Sequence, residues 1–210
     1  MGVGTVETLD PLGHKAVAFR KDNKFNERVQ ERNQNEGSRM DVFEAIRTRR
    51  SIRKYRPEPI PDEKLEAILE AARMSPSAGN RQPWGFVVVQ DSDRKRALAE
   101  AANNQTFLEE AAVIVTAVGD PEASKRWHDR DPMIALEHMV LAATALGYGT
   151  CWIGAFDEDA VKRLLKIPAK MKVVALLPIG TPSETPAPSP RKKLSEIFFK
   201  EEWQTSWPTR

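Results

Sequence analysis

The 210 residues hold one cysteine, Cys151, with three histidines and two tyrosines. A single thiol excludes an internal disulfide framework, a zinc ribbon and a cysteine-ligated iron–sulfur cluster within one chain, so redox chemistry would have to come from a bound cofactor. His14, His128 and His138 lack metal-ligand spacing. No apolar run approaches membrane-spanning length, and the first residues have neither the apolar stretch nor the cleavage site of a signal peptide. The opening MGVGTV fails the myristoylation pattern, because Val6 stands where Ser or Thr is needed. A cytoplasmic protein without membrane contact is expected. An excess of one charge is missing too: 32 basic residues face 30 acidic ones, net +2. That balance lacks the broad positive field that nucleic-acid binding leaves on a whole domain.

What is present suits one main folded unit with a sizeable core. Residues 1–39 differ from the rest, dense in charge, Asn and Gln without a sustained period, and read as an extension or arm. Residues 40–210 read as the domain. MDVFEAIRTRR opens it as a helix ending near Arg49 or Arg50, DEKLEAILEAARM has acids in its first turn and Leu65, Ile68, Leu69 and Ala72 along one face, and Pro76 follows. WGFVVVQD, AAVIVTAVG, TCWIGAF and MKVVALLPIG read as strands, with helices at SDRKRALAEAA and DEDAVKRLLKI. PMIALEHMVLAATALGYG is a helix apolar on nearly all sides, to be covered by the domain centre or by a second subunit. A Pro-rich arm from about residue 181 ends in Leu194, Ile197, Phe198 and Trp203, spaced as a short amphipathic piece. The order of elements predicts an α+β sheet protein, with a second copy of itself as the expected partner.

Two stretches offer chemistry. RTRRSIRKY, residues 47–55, puts five cations into nine residues. Cations in a last helical turn are stabilised by the helix dipole, which accounts for part of the cluster. If Ser51–Tyr55 is extended, Ser51, Arg53 and Tyr55 share one face with Lys54 opposite, and a hydroxyl and guanidiniums can converge with Arg49 on one phosphate. A phosphate site and a solvated helix end both remain open on these residues alone. SPSAGNRQPW, residues 75–84, places amide donors and acceptors in a rigid loop suited to the edge of a planar heterocycle, or to an ordinary turn between helix and strand. His138 within its apolar helix reads as a hydrogen-bonded structural residue, and Cys151 as a buried small hydrophobe. GYGTCWIG has the wrong spacing for a dinucleotide fingerprint and leads into a strand.

RRSIRKY, then SPSAGNRQPW, GTCWIGAF and a late PRKKL, in that order, resemble the FMN-dependent nitroreductase family over about residues 40–203. The resemblance implies a nitroreductase-like fold with a central, mostly antiparallel sheet flanked by helices. It also implies an intertwined homodimer with the C-terminal arm exchanged and FMN held at the subunit interface. Arg49, Arg50, Ser51 and Arg53 match the positions that hold the FMN phosphate and ribityl chain, and Pro76, Ser77, Ala78, Asn80 and Gln82 match the partner's loop around ribityl and ring. Ile153, Gly154 and Ala155 match the backbone segment facing flavin N5. Arg191, with Lys192, matches the distal phosphate ligand. The implied activity is ping-pong transfer of hydride from NAD(P)H through FMN to nitroaromatic, quinone or similar small-molecule acceptors. Reductive dehalogenation and flavin fragmentation are alternatives on the same fold, and a nucleic-acid-binding module is a remote one.

Overall fold

The computed structural model describes residues 40–208; the expected extension, residues 1–39, and His14 lie outside the described residues. Helix α1 (Val42–Thr48) begins where the Asp41 carboxylate accepts the Glu44 N–H at 2.8 Å, satisfying one of the donors that a helix start leaves unpaired. Helix α2 (Asp62–Arg73) carries Asp62 and Glu63 against the positive end of its dipole and buries Leu65, Ile68 and Ala72. A single 3₁₀ turn (Ala78–Asn80) leads to strand β1 (Trp84–Val89). Then come α3 (Ser92–Ala101), the one-turn α4 (Phe107–Glu110), β2 (Val113–Gly119), α5 (Asp131–Ala145), β3 (Gly149–Thr150), α6 (Glu158–Leu165), β4 (Lys172–Gly180) and the one-turn α7 (Leu194–Ile197).

The four strands form one sheet in the order β1-β2-β4-β3, and every neighbouring pair is antiparallel. This is the α+β class that the alternation of apolar runs predicts. Strand β2 is buried along its whole length, because helices cover both faces of the sheet. Val113, Val115 and Ala117 face one core with α2 and α5, whereas Ile114 and Val118 face the other with Leu98 of α3, Leu108 of α4 and Val161 of α6. The β2–β4 register shifts between Ala117 and Val118. The extra residue, Val174, packs towards the same core as its neighbour Ala175, which leaves Val173 beside Val118 in the other core, as a bulge does.

Two expectations need correction. TCWIGAF is not a continuous strand: pairing lapses after Thr150 and resumes only as an isolated bridge between Ile153 and Leu176. Between them the Trp152 indole N–H turns to Glu137 of α5, 3.3 Å away. The amphipathic piece of the arm is also shorter than its spacing suggests. After α7, Phe199 bridges Ser206 and its ring lies 4.5 Å from that of Trp203, so the end is a small aromatic turn. No helix among the described residues is long and apolar enough to cross a membrane.

Candidate active site

The basic stretch leaves α1 and runs beside β3. Ser51 bridges Thr150 in parallel, and the Ile52 N–H donates to the Thr150 carbonyl at 2.9 Å. Gly149 makes this approach possible, since a Cβ there would sit 2.5 Å from Cγ1 of Ile52. Strict alternation does not hold. Ile52 and Tyr55 are both buried, while Arg53 and Lys54 are both exposed, because the segment joins its neighbours only at Ser51 and Tyr55. The Tyr55 hydroxyl donates to the Ile52 carbonyl at 2.8 Å, and burial raises its pKa far above the ordinary value.

Three of the predicted residues nevertheless act on one thiol. Burial pushes the Cys151 thiol up, and the Arg53 guanidinium, a hydrogen bond with Ser51 and the Arg49 guanidinium all pull it part of the way back. Ser51 is joined to β3 through its bridge to Thr150, and the two guanidiniums lie near enough to exert a field there. Arg50 is turned elsewhere: its Nη1 donates to the carbonyls of Arg47 and Arg49, both at 2.8 Å, and caps α1. The arm closes over this segment, with the Arg53 N–H donating to Glu184 Oε1 at 2.8 Å and the Ser183 N–H to the Lys54 carbonyl at 3.0 Å. Beyond β3, Gly154 and Ala155 are exposed, and among the described residues their N–H groups meet no acceptor. A Cβ at Gly154 would meet nothing within 4 Å.

The loop from Ser75 to Gln82 is held from within and from outside. Gly79, Asn80 and Gln82 all have positive φ, at 59°, 53° and 48°. Glycine takes this conformation freely, asparagine tolerates it, and glutamine does so at a cost of about 1 kcal/mol. The Gln82 N–H donates to Ser77 Oγ at 2.9 Å and Gln82 Nε2 to Asn80 Oδ1 at 3.2 Å. Helix α5 pins the loop twice. Buried Asp131 accepts the Ala78 N–H at 3.0 Å, and His138 Nδ1 lies 2.7 Å from Ser75 Oγ. Positions seven apart share a helix face, so one face holds both pins.

Loop and basic cluster lie at opposite ends of the sheet. Thr150 pairs with Ile179, which pairs with Val113 at the start of β2. The Asp120 N–H, just past the end of β2, donates to Pro83 of the loop at 2.9 Å. The seven residues of β2 separate the two by about 20 Å. Exposed Val42, Phe43 and Ile46 of α1 and Met133 and Ile134 of α5 leave apolar surface uncovered.

Residues 46–112 and 99–181 match the description of the Nitroreductase family. The chain belongs to the nitroreductase family. An NADH dehydrogenase of Thermus thermophilus is 34% identical over 196 residues, covering 76% of this chain and 96% of that one. An FMN reductase [NAD(P)H] of Bacillus subtilis is 31% identical over 183 residues, covering 77% and 74%. The solved structure of NADPH:FMN oxidoreductase from Vibrio harveyi complexed with NAD⁺ superimposes with a TM-score of 0.73 at 27% identity, covering 78% of each chain.

Within this family member, sequence spacing singled out the Arg49–Arg53 segment and the Pro76–Gln82 loop as candidates but gave no sign of the contacts that hold them. Asp131 carried a signal, an acid at the head of an apolar helix, that looks like ordinary helix capping. Glu184 carried none. Arg191 donates to the carbonyls of its own arm, Ser189 at 3.1 Å and Pro190 at 3.2 Å.

Proposed function

We propose that the protein is a flavin oxidoreductase that binds FMN and uses NAD(P)H to reduce nitroaromatic, quinone or similar electron-poor small molecules. The placing of Arg49, Ser51 and Arg53 on one segment, tied to β3 by the Ser51–Thr150 bridge and the Ile52 N–H bond to Thr150, carries this reading. Planar guanidinium forks donate paired hydrogen bonds to phosphate oxygens, and a hydroxyl completes such a set. Exposed N–H groups at Gly154 and Ala155, with Ile153 anchored to Leu176 behind them, suit the electron-rich edge of a flavin ring. The donor set present therefore fits FMN, and Arg191 and Lys192 are the arm's candidates for its phosphate.

When bound, FMN supplies two-electron chemistry, taking hydride from NAD(P)H and then passing electrons to an acceptor in a ping-pong cycle. The protein's share is to bind and orient. Arg49, Ser51 and Arg53 hold the phosphate end, and the backbone at Gly154 and Ala155 donates hydrogen bonds to the ring. The loop Pro76, Ser77, Ala78, Asn80 and Gln82 excludes water from the other side.

One chain sets the loop and the basic cluster about 20 Å apart, at opposite ends of the sheet. That separation, the uncovered apolar faces of α1 and α5 and the aromatic end of the arm favour a homodimer in which each FMN is shared and the arms are exchanged. Residues 40–210 then form the FMN-binding domain, with the arm from about 181, and residues 1–39 are an extension to it.

Purified protein should be yellow or take up added FMN, and should oxidise NAD(P)H with a nitroaromatic or quinone at rates giving parallel double-reciprocal plots. Protein that stays colourless in excess FMN would overturn the proposal. Turnover of halogenated phenols alone, or loss of the flavin itself, would move the reading to dehalogenation or flavin fragmentation.

A further inference from the structure

The segment between β2 and α5, DPEASKRWHDR, is tied at both ends to the Ser75–Pro83 loop. The Asp120 N–H donates to Pro83 and the Asp131 carboxylate accepts from Ala78. Whatever lies over that loop therefore has this segment at its rim. Half-buried Trp127 stands in its middle, with the Arg126 guanidinium carbon 5.6 Å and the Arg130 guanidinium carbon 5.3 Å from the indole centre.

Both arginines are exposed, and among the described residues neither meets a carboxylate within ion-pair distance. The acids of the segment point elsewhere. Asp120 accepts the N–H groups of Glu122 and Ala123, Glu122 pairs with Lys170 at 2.7 Å, and Asp131 faces inward. Asp129 alone is exposed without a described partner. Cation–π attraction to the indole keeps both guanidiniums beside it and leaves N–H groups free for an anion.

Resting on the flavin oxidoreductase reading, we infer that Arg126 and Arg130, held by Trp127, recognise the 2′-phosphate of NADPH and set a preference for NADPH over NADH. A dinucleotide whose nicotinamide lies against the flavin must extend its adenosine end out of the site. The two forms of the donor differ there by one phosphomonoester, dianionic at neutral pH. A preorganised pair of forks discriminates such a group, whereas a lone flexible lysine such as Lys125 holds it only as a point charge.

The test has a binding arm and a kinetic arm, both on the full chain loaded with FMN. Calorimetry with 2′,5′-ADP and with 5′-AMP as probes should show the former binding at least tenfold tighter to the wild type, a gap lost in the Arg126→Ala/Arg130→Ala double variant. The ratio of kcat/KM for NADPH to that for NADH should exceed ten in the wild type and fall at least tenfold in the double variant. Arg130→Lys should recover only part of the loss. An unchanged ratio in the double variant, or a wild type that favours NADH, overturns the inference while leaving the flavin reading intact. A wild type that holds FMN but oxidises neither donor overturns both.

Discussion

Replacing Asp131 tests how the ring loop is held. The carboxylate is 3% exposed, sits at the first position of α5 and accepts the Ala78 N–H at 3.0 Å. Asp131→Asn keeps an acceptor oxygen of the same shape and loses only the interaction of the charge with the helix dipole and the strength added to the hydrogen bond, about 1 kcal/mol. Asp131→Leu removes the acceptor as well and strands the Ala78 N–H, adding about 1–3 kcal/mol for an unpaired buried donor. The expected order of stability in urea unfolding is wild type, Asn, Leu, with about 2 kcal/mol between the two variants. Because the loss is focused on the loop, FMN affinity measured by quenching of flavin fluorescence should fall further in Asp131→Leu than in a core variant of matched stability such as Leu98→Ala. If Asn and Leu variants are equally stable, the bond to Ala78 contributes nothing. If the matched variant loses FMN equally, the loop has no special role in binding it.

Arg49→Ala should weaken FMN roughly tenfold or more, as expected for a charge-assisted pair, and Lys54→Ala should change it little. Lys54 is exposed, whereas Arg49 is half-buried and acts on the Cys151 thiol. Equal losses in a flavin titration would indicate a diffuse basic patch instead. Thr116 is fully buried in β2, and among the described residues its hydroxyl has no partner. Thr116→Val should raise stability by about 1 kcal/mol, and a less stable variant in thermal unfolding would reveal a partner. Glu158 opens α6 against β4. Burial raises its carboxyl, but hydrogen bonds from Lys172, Lys162 and the Val173 N–H outweigh that and bring it down to about 2. A depressed folded value means stability that is complete above the ordinary 4.5 and is lost as pH falls through about 2. Glu158→Gln should therefore be less stable at pH 7 by about 1–2 kcal/mol after allowance for solvent screening. That difference should shrink between pH 4.5 and 2, and a constant gap across that range would refute the assignment.

Helices and strands with a clear period were legible in the sequence. The acids and apolar stripe of α2 and the β-branched run of β2 answer to local sterics and to burial, which act over a few residues. TCWIGAF misled because a β-branched and aromatic run reports burial as much as pairing. Trp152 is turned to Glu137, a partner 15 positions away. Alternation misled at Ser51–Tyr55 for a similar reason: strand parity needs continuous pairing, and here only two isolated bridges fix the chain.

By itself the sequence determined the chemistry available: arginines and a serine of the kind that suits a phosphate, a Gly-containing amide-rich loop of the kind that suits a planar ring, and a single cysteine that leaves redox work to a cofactor. Side-chain type and local spacing suffice for that. Tertiary structure decided which groups meet. It laid the segment of Arg49, Ser51 and Arg53 against β3 at Thr150, turned Arg50 back to cap its own helix, and fastened the loop to Asp131 and His138. It also set loop and basic cluster at opposite ends of β2. These are consequences of strand register and helix packing, which depend on residues far apart in the chain and have no signature in any one stretch of it.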